Sequence, residues 1–229
     1  MAPDATLHLL AGSLALVAAP LALVVRKGGR WHRRWGRVFV YAMVVVCISA
    51  IWMAWHKANY LMILVAVFSL HLCGSGWRAL YLKRLHKGQL ATWVDWALHG
   101  TAGLFNAGLL IWGVSGLLLK HDTSPFYIIF TVFGGIGSWM VVRQAGRFMK
   151  RAVDRDQWFF DHITGMLAGY IATVSAFSAV NIEFMPAALR WLWPTLVGTP
   201  AIVLTIRYYR SRLNEHRRPH DIAKVKIDV

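Results

Sequence analysis

The sequence predicts an all-α fold, a polytopic membrane bundle of seven transmembrane helices, and three observations lead to this prediction. Hydrophobic residues make up 57% of the chain, and they gather in seven continuous apolar stretches. Each stretch has about the 20 residues that a helix needs to cross a hydrocarbon core ~30 Å thick. The connections between stretches are alternately rich and poor in Lys and Arg. Trp and Tyr cluster near the ends of the stretches, because amphipathic rings prefer the level of the lipid headgroups.

The seven spans fill nearly all of the 229 residues and leave no room for a separate soluble domain. Lipid offers the backbone no hydrogen bonds, so each span must be a helix or part of a closed barrel, and unbroken apolar runs exclude the barrel. We therefore expect a single seven-helix transmembrane domain at 1–209 and a basic cytoplasmic tail at 210–229. The predicted spans are 5–25, 38–55, 60–82, 93–119, 125–142, 159–180 and 188–209.

The distribution of positive charge predicts the orientation of the chain. The formal net charge is +15, and nearly all of the Lys and Arg residues lie in alternate hinges or in the tail. Only Lys57, Lys120 and Arg190 fall on the other side. The positive-inside rule then places the N-terminus outside and the C-terminus in the cytoplasm. Insertion and contact with anionic lipid headgroups at the inner face explain these charges, so no nucleic-acid partner is expected.

Small residues at helical spacing predict close contacts between helices. Examples are Gly103 with Ala107 in the fourth span and Gly165 with Gly169 in the sixth. Small side chains let helix backbones approach each other in lipid, where no hydrophobic force drives association. Such contacts form within one bundle or between subunits, so a homo-oligomer remains an open alternative.

Ionisable side chains at membrane depth are costly and usually face the protein interior, which makes them candidates for function. In the fourth span Asp95, His99 and Asn106 share one helix face, as do His71 and Arg78 in the third span, at ~100° per residue. The hinge between these spans is short, so the two helices should pack antiparallel. We therefore predict an ion pair between Arg78 and Asp95 near the inner surface.

A second ion pair is expected where the sixth span begins. Asp161 lies there, and Arg143 or Arg147 at the end of the fifth span could neutralise it. For both pairs, the alternative is that each charged side chain reaches water separately at a helix end.

Five histidines are candidate cofactor ligands because a neutral imidazole can bind a metal or haem iron, carry a proton, or simply pack. His99 and His162 lie ~10 Å inside the inner face and match in depth, whereas His71 lies near the middle of the membrane. His8 and His56 lie near the outer face. His32 and the other hinge and tail histidines are assigned to solvated surface.

Several motifs along nearly the whole chain form one combination. They are Lys27-Gly28-Gly29-Arg30, His32-Arg33-Arg34, Gly36-Arg37, Gly76-Trp77-Arg78-Ala79, His162 with Met166 and Tyr170-Ile171-Ala172, and Trp191-Leu192-Trp193-Pro194-Thr195. This combination resembles a family of bacterial polytopic membrane proteins defined as a domain of unknown function. The resemblance implies a multi-pass protein of the bacterial cytoplasmic (inner) membrane. It implies no activity.

Four functional hypotheses follow, and whether the protein is an enzyme stays open. The first is a redox protein that binds b-type haem or quinone, with His99 and His162 as an inner ligand pair and His8 with His56 as an outer one. The second is a proton-coupled small-molecule carrier that uses the polar stripe of the fourth span and a seventh span broken by prolines.

The other two hypotheses are a hydrolase and a non-catalytic binding protein. One is an intramembrane hydrolase with His71, His99 and His162 as zinc ligands. The other is a non-catalytic protein that binds lipid or a protein partner through the basic aromatic hinge at 31–35.

Overall fold

A computed structural model describes residues 3–57, 59–150 and 153–225, and over these ranges the chain is helical without a strand. Each of its seven long helices is long and apolar enough to cross a membrane, which confirms the predicted fold class. The orientation of the termini remains a prediction. The helices are α1 (Pro3–Val24), α2 (Arg30–Lys57), α3 (Tyr60–Arg78), α4 (Trp93–Leu119), α5 (Pro125–Phe148), α6 (Gln157–Asn181) and α7 (Ala187–Val225).

The helices extend beyond the predicted apolar spans mainly at the basic end of the bundle. α2 begins at Arg30 rather than near residue 38, and α7 continues past residue 209. Arg and Lys are good helix formers, so a helix need not end where the hydrocarbon ends. α7 is also continuous through Pro194 and Pro200, so these prolines, which were expected to bend or unwind the span, do not unwind it.

α3 lies at the centre of the bundle and packs against α2, α4 and α6, while α1 packs on α2, α5 on α4, and α7 on α6. Two glycines let α3 and α6 meet backbone to backbone: a Cβ atom on Gly165 would lie 2.5 Å from the Cα atom of Gly76. Without that close approach the two helices could not position their polar side chains against each other.

Apolar side chains fill two main layers of the bundle. One cluster joins α3, α4, α5 and α6 around Leu64, Phe130 and Phe133. The other joins α1, α2 and α3 around Ala15, Phe39 and Cys73. Ala19 and Phe39 of the second cluster also line an open cavity, to which α1, α2, α3, α6 and α7 contribute residues.

Candidate functional site

A cavity of about 730 Å³ opens at the end of the bundle that carries the basic hinges. Its walls come from the last turns of α1, the first turns of α2, the end of α3, the first half of α6 and part of α7. About a third of the wall residues are aromatic, among them Phe39, Tyr41, Trp77, Trp158, Phe159, Tyr170 and Tyr209. Such a cavity suits a ligand with a large apolar surface.

Four cationic side chains also line this cavity, namely Lys27, Arg33, Arg37 and Lys83, while none of the lining residues that the structure describes is Asp or Glu. Lys27 donates to the carbonyl oxygen of Leu23 at the end of α1, and burial lowers the pKa of its ammonium group. The ammonium of Lys83 lies 4.7 Å from the ring centre of Trp158. An occupant with acidic groups would find complementary charge here.

Two histidines from different helices line the same cavity. The Nδ1 atom of His32 lies 2.9 Å from the carbonyl oxygen of Ala22, and that of His162 lies 2.9 Å from the carbonyl oxygen of Gly76. A carbonyl oxygen only accepts, so each Nδ1 carries the proton, and in the neutral ring Nε2 keeps a free lone pair. Within the described ranges, no residue forms a hydrogen bond with either Nε2 atom. The two ring centres are 6.4 Å apart, with an interplanar angle of 79°.

The sequence analysis did not place His32 in a site, because it assigned this residue to a solvated hinge; the structure places His32 in the wall of the cavity. The early start of α2 makes this residue helical and points it at the end of α1. One signal could have found it: His32 lies in the motif His32-Arg33-Arg34, one of those on which the family resemblance depends.

The predicted ion pair between Arg78 and Asp95 is confirmed. Nε and Nη2 of Arg78 donate to the two carboxylate oxygens of Asp95 at 2.7 and 2.9 Å. Thr92, just before α4, donates to the same carboxylate from its backbone N–H at 2.8 Å and its hydroxyl at 2.7 Å. Four donors therefore satisfy a carboxylate that is fully buried.

His99, one turn after Asp95 on α4, extends this hydrogen-bond network. Its Nδ1 lies 2.8 Å from the backbone oxygen of Asp95 and its Nε2 lies 3.0 Å from Oε1 of Gln144 on α5. Both ring nitrogens of His99 have hydrogen-bond partners, so either nitrogen could bind iron only if its hydrogen bond were broken. Among the residues described, no contact joins His99 to His162, so the structure does not assemble the inner ligand pair expected from their depths.

His71 is the ring neighbour of His99, although the two were expected at different depths. Their ring centres are 5.1 Å apart and nearly perpendicular. Both nitrogens of His71 are buried and lack a hydrogen bond, and so do the amide atoms of Asn106. Asn106 lies against α5, where a Cβ atom on Gly137 would be 2.4 Å from its Cγ atom.

The remaining candidates occupy separate places. Nδ1 of His8 lies 3.0 Å from the Ser49 hydroxyl on α2. In contrast, Nδ1 of His56 donates to the backbone carbonyl oxygen of Trp52, one turn earlier in the same helix, at 2.9 Å. Within the described residues nothing joins His8 to His56, so the structure assembles no outer pair. Asp161 pairs with Arg147, which is one of its two expected partners.

No group of three His, Cys, Asp or Glu side chains comes together closely enough to hold a metal ion, as far as the structure describes the chain. The three histidines proposed as zinc ligands thus lack the required geometry. His71 and His99 are neighbours, but the ring of His162 faces Gly76 and His32 instead.

Comparison with known protein families gives a match over the first part of the chain. Residues 5–90 match the model of a family described as a predicted membrane protein, DUF2306. No curated protein matches the chain, nor does any solved structure. The matched region covers nearly all of α1 and extends past α3, so it includes the basic hinge and His32. With seven apolar helices and this match, the chain is a multi-pass membrane protein that resembles DUF2306 over its first three helices.

Proposed function

We propose that this protein is a redox protein of the bacterial cytoplasmic membrane that binds a b-type haem in the cavity at its basic end, with His32 and His162 as axial ligands. One observation carries the proposal. Two imidazoles from different helices line one cavity, and each has its Nδ1 proton committed to a backbone carbonyl. Histidines that bind metals usually donate their other ring N–H in this way, which fixes the tautomer and orients the ring.

The spacing of the two rings supports the same ligand. An imidazole nitrogen binds a transition metal at about 2 Å, so two rings on opposite sides of one iron have centres roughly 6 Å apart. The rings of His32 and His162 are 6.4 Å apart.

The rest of the cavity fits a flat apolar molecule with acidic side groups. Aromatic side chains would pack against the macrocycle, and Lys27, Arg33, Arg37 and Lys83 would neutralise its two propionates. A quinone has a neutral headgroup and would leave these four cations without a counter-charge. The haem would supply one-electron chemistry, with its potential adjusted by the imidazoles and the surrounding dielectric.

An absorption spectrum of the detergent-purified protein from haem-replete cells tests the proposal. We expect about one b-type haem per chain, with bands that shift on reduction by dithionite. His32→Ala and His162→Ala should each lose the six-coordinate spectrum, and added imidazole should restore it in part. His86→Ala changes a histidine of another basic hinge and should leave the spectrum intact. A colourless, folded wild-type protein would refute the proposal, as would full haem binding in both ligand variants.

The cationic lining also favours a second candidate, a non-catalytic protein that binds an anionic lipid in this cavity. Solvent extraction of the purified protein and mass spectrometry of the extract separate the two. A stoichiometric phospholipid without haem, lost when Arg33 and Arg37 are changed to Gln but kept in His162→Ala, would replace the redox proposal with the lipid-binding one.

A further inference from the structure

A second, smaller site lies on the opposite face of α6, between α5, α6 and α7. It is a cleft of about 30 Å³, roughly twice the ~10–15 Å³ that one water molecule requires. It lies at the same end of the bundle as the basic hinges, but none of its lining residues is shared with the large cavity. Its lining includes Trp139, Arg143, Arg147, Phe160, Asp161 and Arg210.

Three guanidinium groups meet at this cleft with one carboxylate. Arg147 is neutralised by Asp161. The other two cations contact aromatic rings instead: the guanidinium carbon of Arg143 lies 5.1 Å from the ring centre of Trp139, and that of Arg210 lies 5.0 Å from the ring centre of Phe160. Neither forms an ion pair or hydrogen bond with another residue in the described parts of the chain. The cleft therefore carries two positive charges without counter-ions.

We infer that this cleft binds the phosphate group of an anionic phospholipid. A guanidinium that lies over an aromatic ring still has N–H groups available, because the ring accepts no conventional hydrogen bond, and Arg donates to phosphate through two parallel hydrogen bonds. The volume admits phosphate oxygens and not a whole headgroup. Basic pockets between transmembrane helices on the cytoplasmic side are suited to such lipids. This inference does not depend on the proposed haem.

The surface beside the cleft explains why we choose a lipid over free phosphate. Trp139, at its edge, is 57% exposed, and the neighbouring Val142 is 73% exposed. On α7, Val203 and Leu204 are exposed as well. Acyl chains attached to a phosphate in the cleft would lie along this apolar surface, which inorganic phosphate could not use.

Native mass spectrometry of the delipidated protein with added phosphatidylglycerol tests the inference. We expect one saturable tight site for phosphatidylglycerol. The variant Arg143→Gln with Arg210→Gln should bind at least tenfold more weakly, because each charge-assisted hydrogen bond contributes about tenfold or more in affinity. Phosphatidylcholine has a cationic headgroup and should bind clearly more weakly to the wild type.

Arg212→Gln is the matched control. Arg212 is also on α7 and also lies over an aromatic ring, that of Tyr208 at 5.4 Å, but it does not line the cleft. Equal weakening in Arg212→Gln, or equal binding of phosphatidylglycerol and phosphatidylcholine, would overturn the inference. Competition by inorganic phosphate at micromolar concentration would show that the site takes the free anion and would overturn the assignment to lipid. Unchanged thermal unfolding of the double variant excludes a folding defect.

Discussion

The ion pair of Arg78 and Asp95 allows the most direct test of the energetics of this bundle. The Asp95 side chain is fully buried and the Arg78 side chain is 22% exposed, so the pair lies at the edge of the protein interior. The carboxylate also caps the N-terminus of α4, because it accepts a hydrogen bond from the backbone N–H of Thr92, the residue just before the helix. Asp95 therefore has two roles, as a counter-ion and as a helix cap.

The expected cost of removing Asp95 combines these two roles. Breaking a buried ion pair by removing one partner costs about 3–5 kcal/mol, and the partial exposure of Arg78 favours the lower end. Loss of the cap alone costs about 1 kcal/mol. We therefore expect Asp95→Ala to lower the free energy of unfolding by about 4 kcal/mol. Asp95→Asn should cost less, about 3 kcal/mol, because the amide oxygen can still accept from Thr92.

A double-mutant cycle separates the ion pair from the rest. Unfolding by sodium dodecyl sulfate, followed by circular dichroism in mixed micelles, would be compared for the wild type, Asp95→Ala, Arg78→Ala and the double variant. We expect Arg78→Ala to cost about as much as Asp95→Ala, and the double variant hardly more than either, which gives a coupling of about 3 kcal/mol. Single effects that add to the double effect within about 0.5 kcal/mol would refute this reasoning.

Three further predictions concern packing, a buried histidine and topology. Gly165→Ala places a Cβ atom 2.5 Å from the Gly76 Cα atom and should destabilise the protein by about 1–3 kcal/mol in the same unfolding assay. Gly100 is a helical glycine with open space around it, so the control Gly100→Ala should leave the stability unchanged or raise it by up to about 1 kcal/mol. His71→Phe removes two buried nitrogens without partners and should stabilise the protein by about 1 kcal/mol; a loss of stability would contradict this prediction. A reporter fused at Val229 should be cytoplasmic, and periplasmic activity would contradict the predicted orientation.

The spans could be predicted from the sequence because a bilayer imposes one length and one polarity on every crossing helix. The ion pair of Arg78 and Asp95 could be predicted from the sequence for a related reason. A short hinge makes the third and fourth helices antiparallel neighbours, and the helical period then places both side chains at the same end. Asp161 and Arg147 follow the same logic across the next inner hinge. Contacts between helices that are consecutive in sequence are thus the part of the site that sequence reasoning reaches.

The pairing of His32 with His162 was beyond such reasoning. These residues lie on α2 and α6, and hydropathy does not say which non-consecutive helices pack together. The contact depends on α3, whose Gly76 lets α6 approach closely and also offers its carbonyl oxygen to His162. Matching depths had favoured His99 as the partner of His162. However, two residues at equal depth need not face the same cavity.

The amino-acid sequence alone therefore determined that this chain forms seven helices long and apolar enough to cross a membrane, since hydrophobicity and the cost of an unsatisfied backbone act locally along the chain. The tertiary structure decided which polar groups face each other. It gathered two imidazoles and four cations around one cavity and three arginines around a separate cleft. The physical reason is that helix packing in lipid depends on small residues and short contacts between distant segments, and this information is spread over the chain rather than held in any one motif.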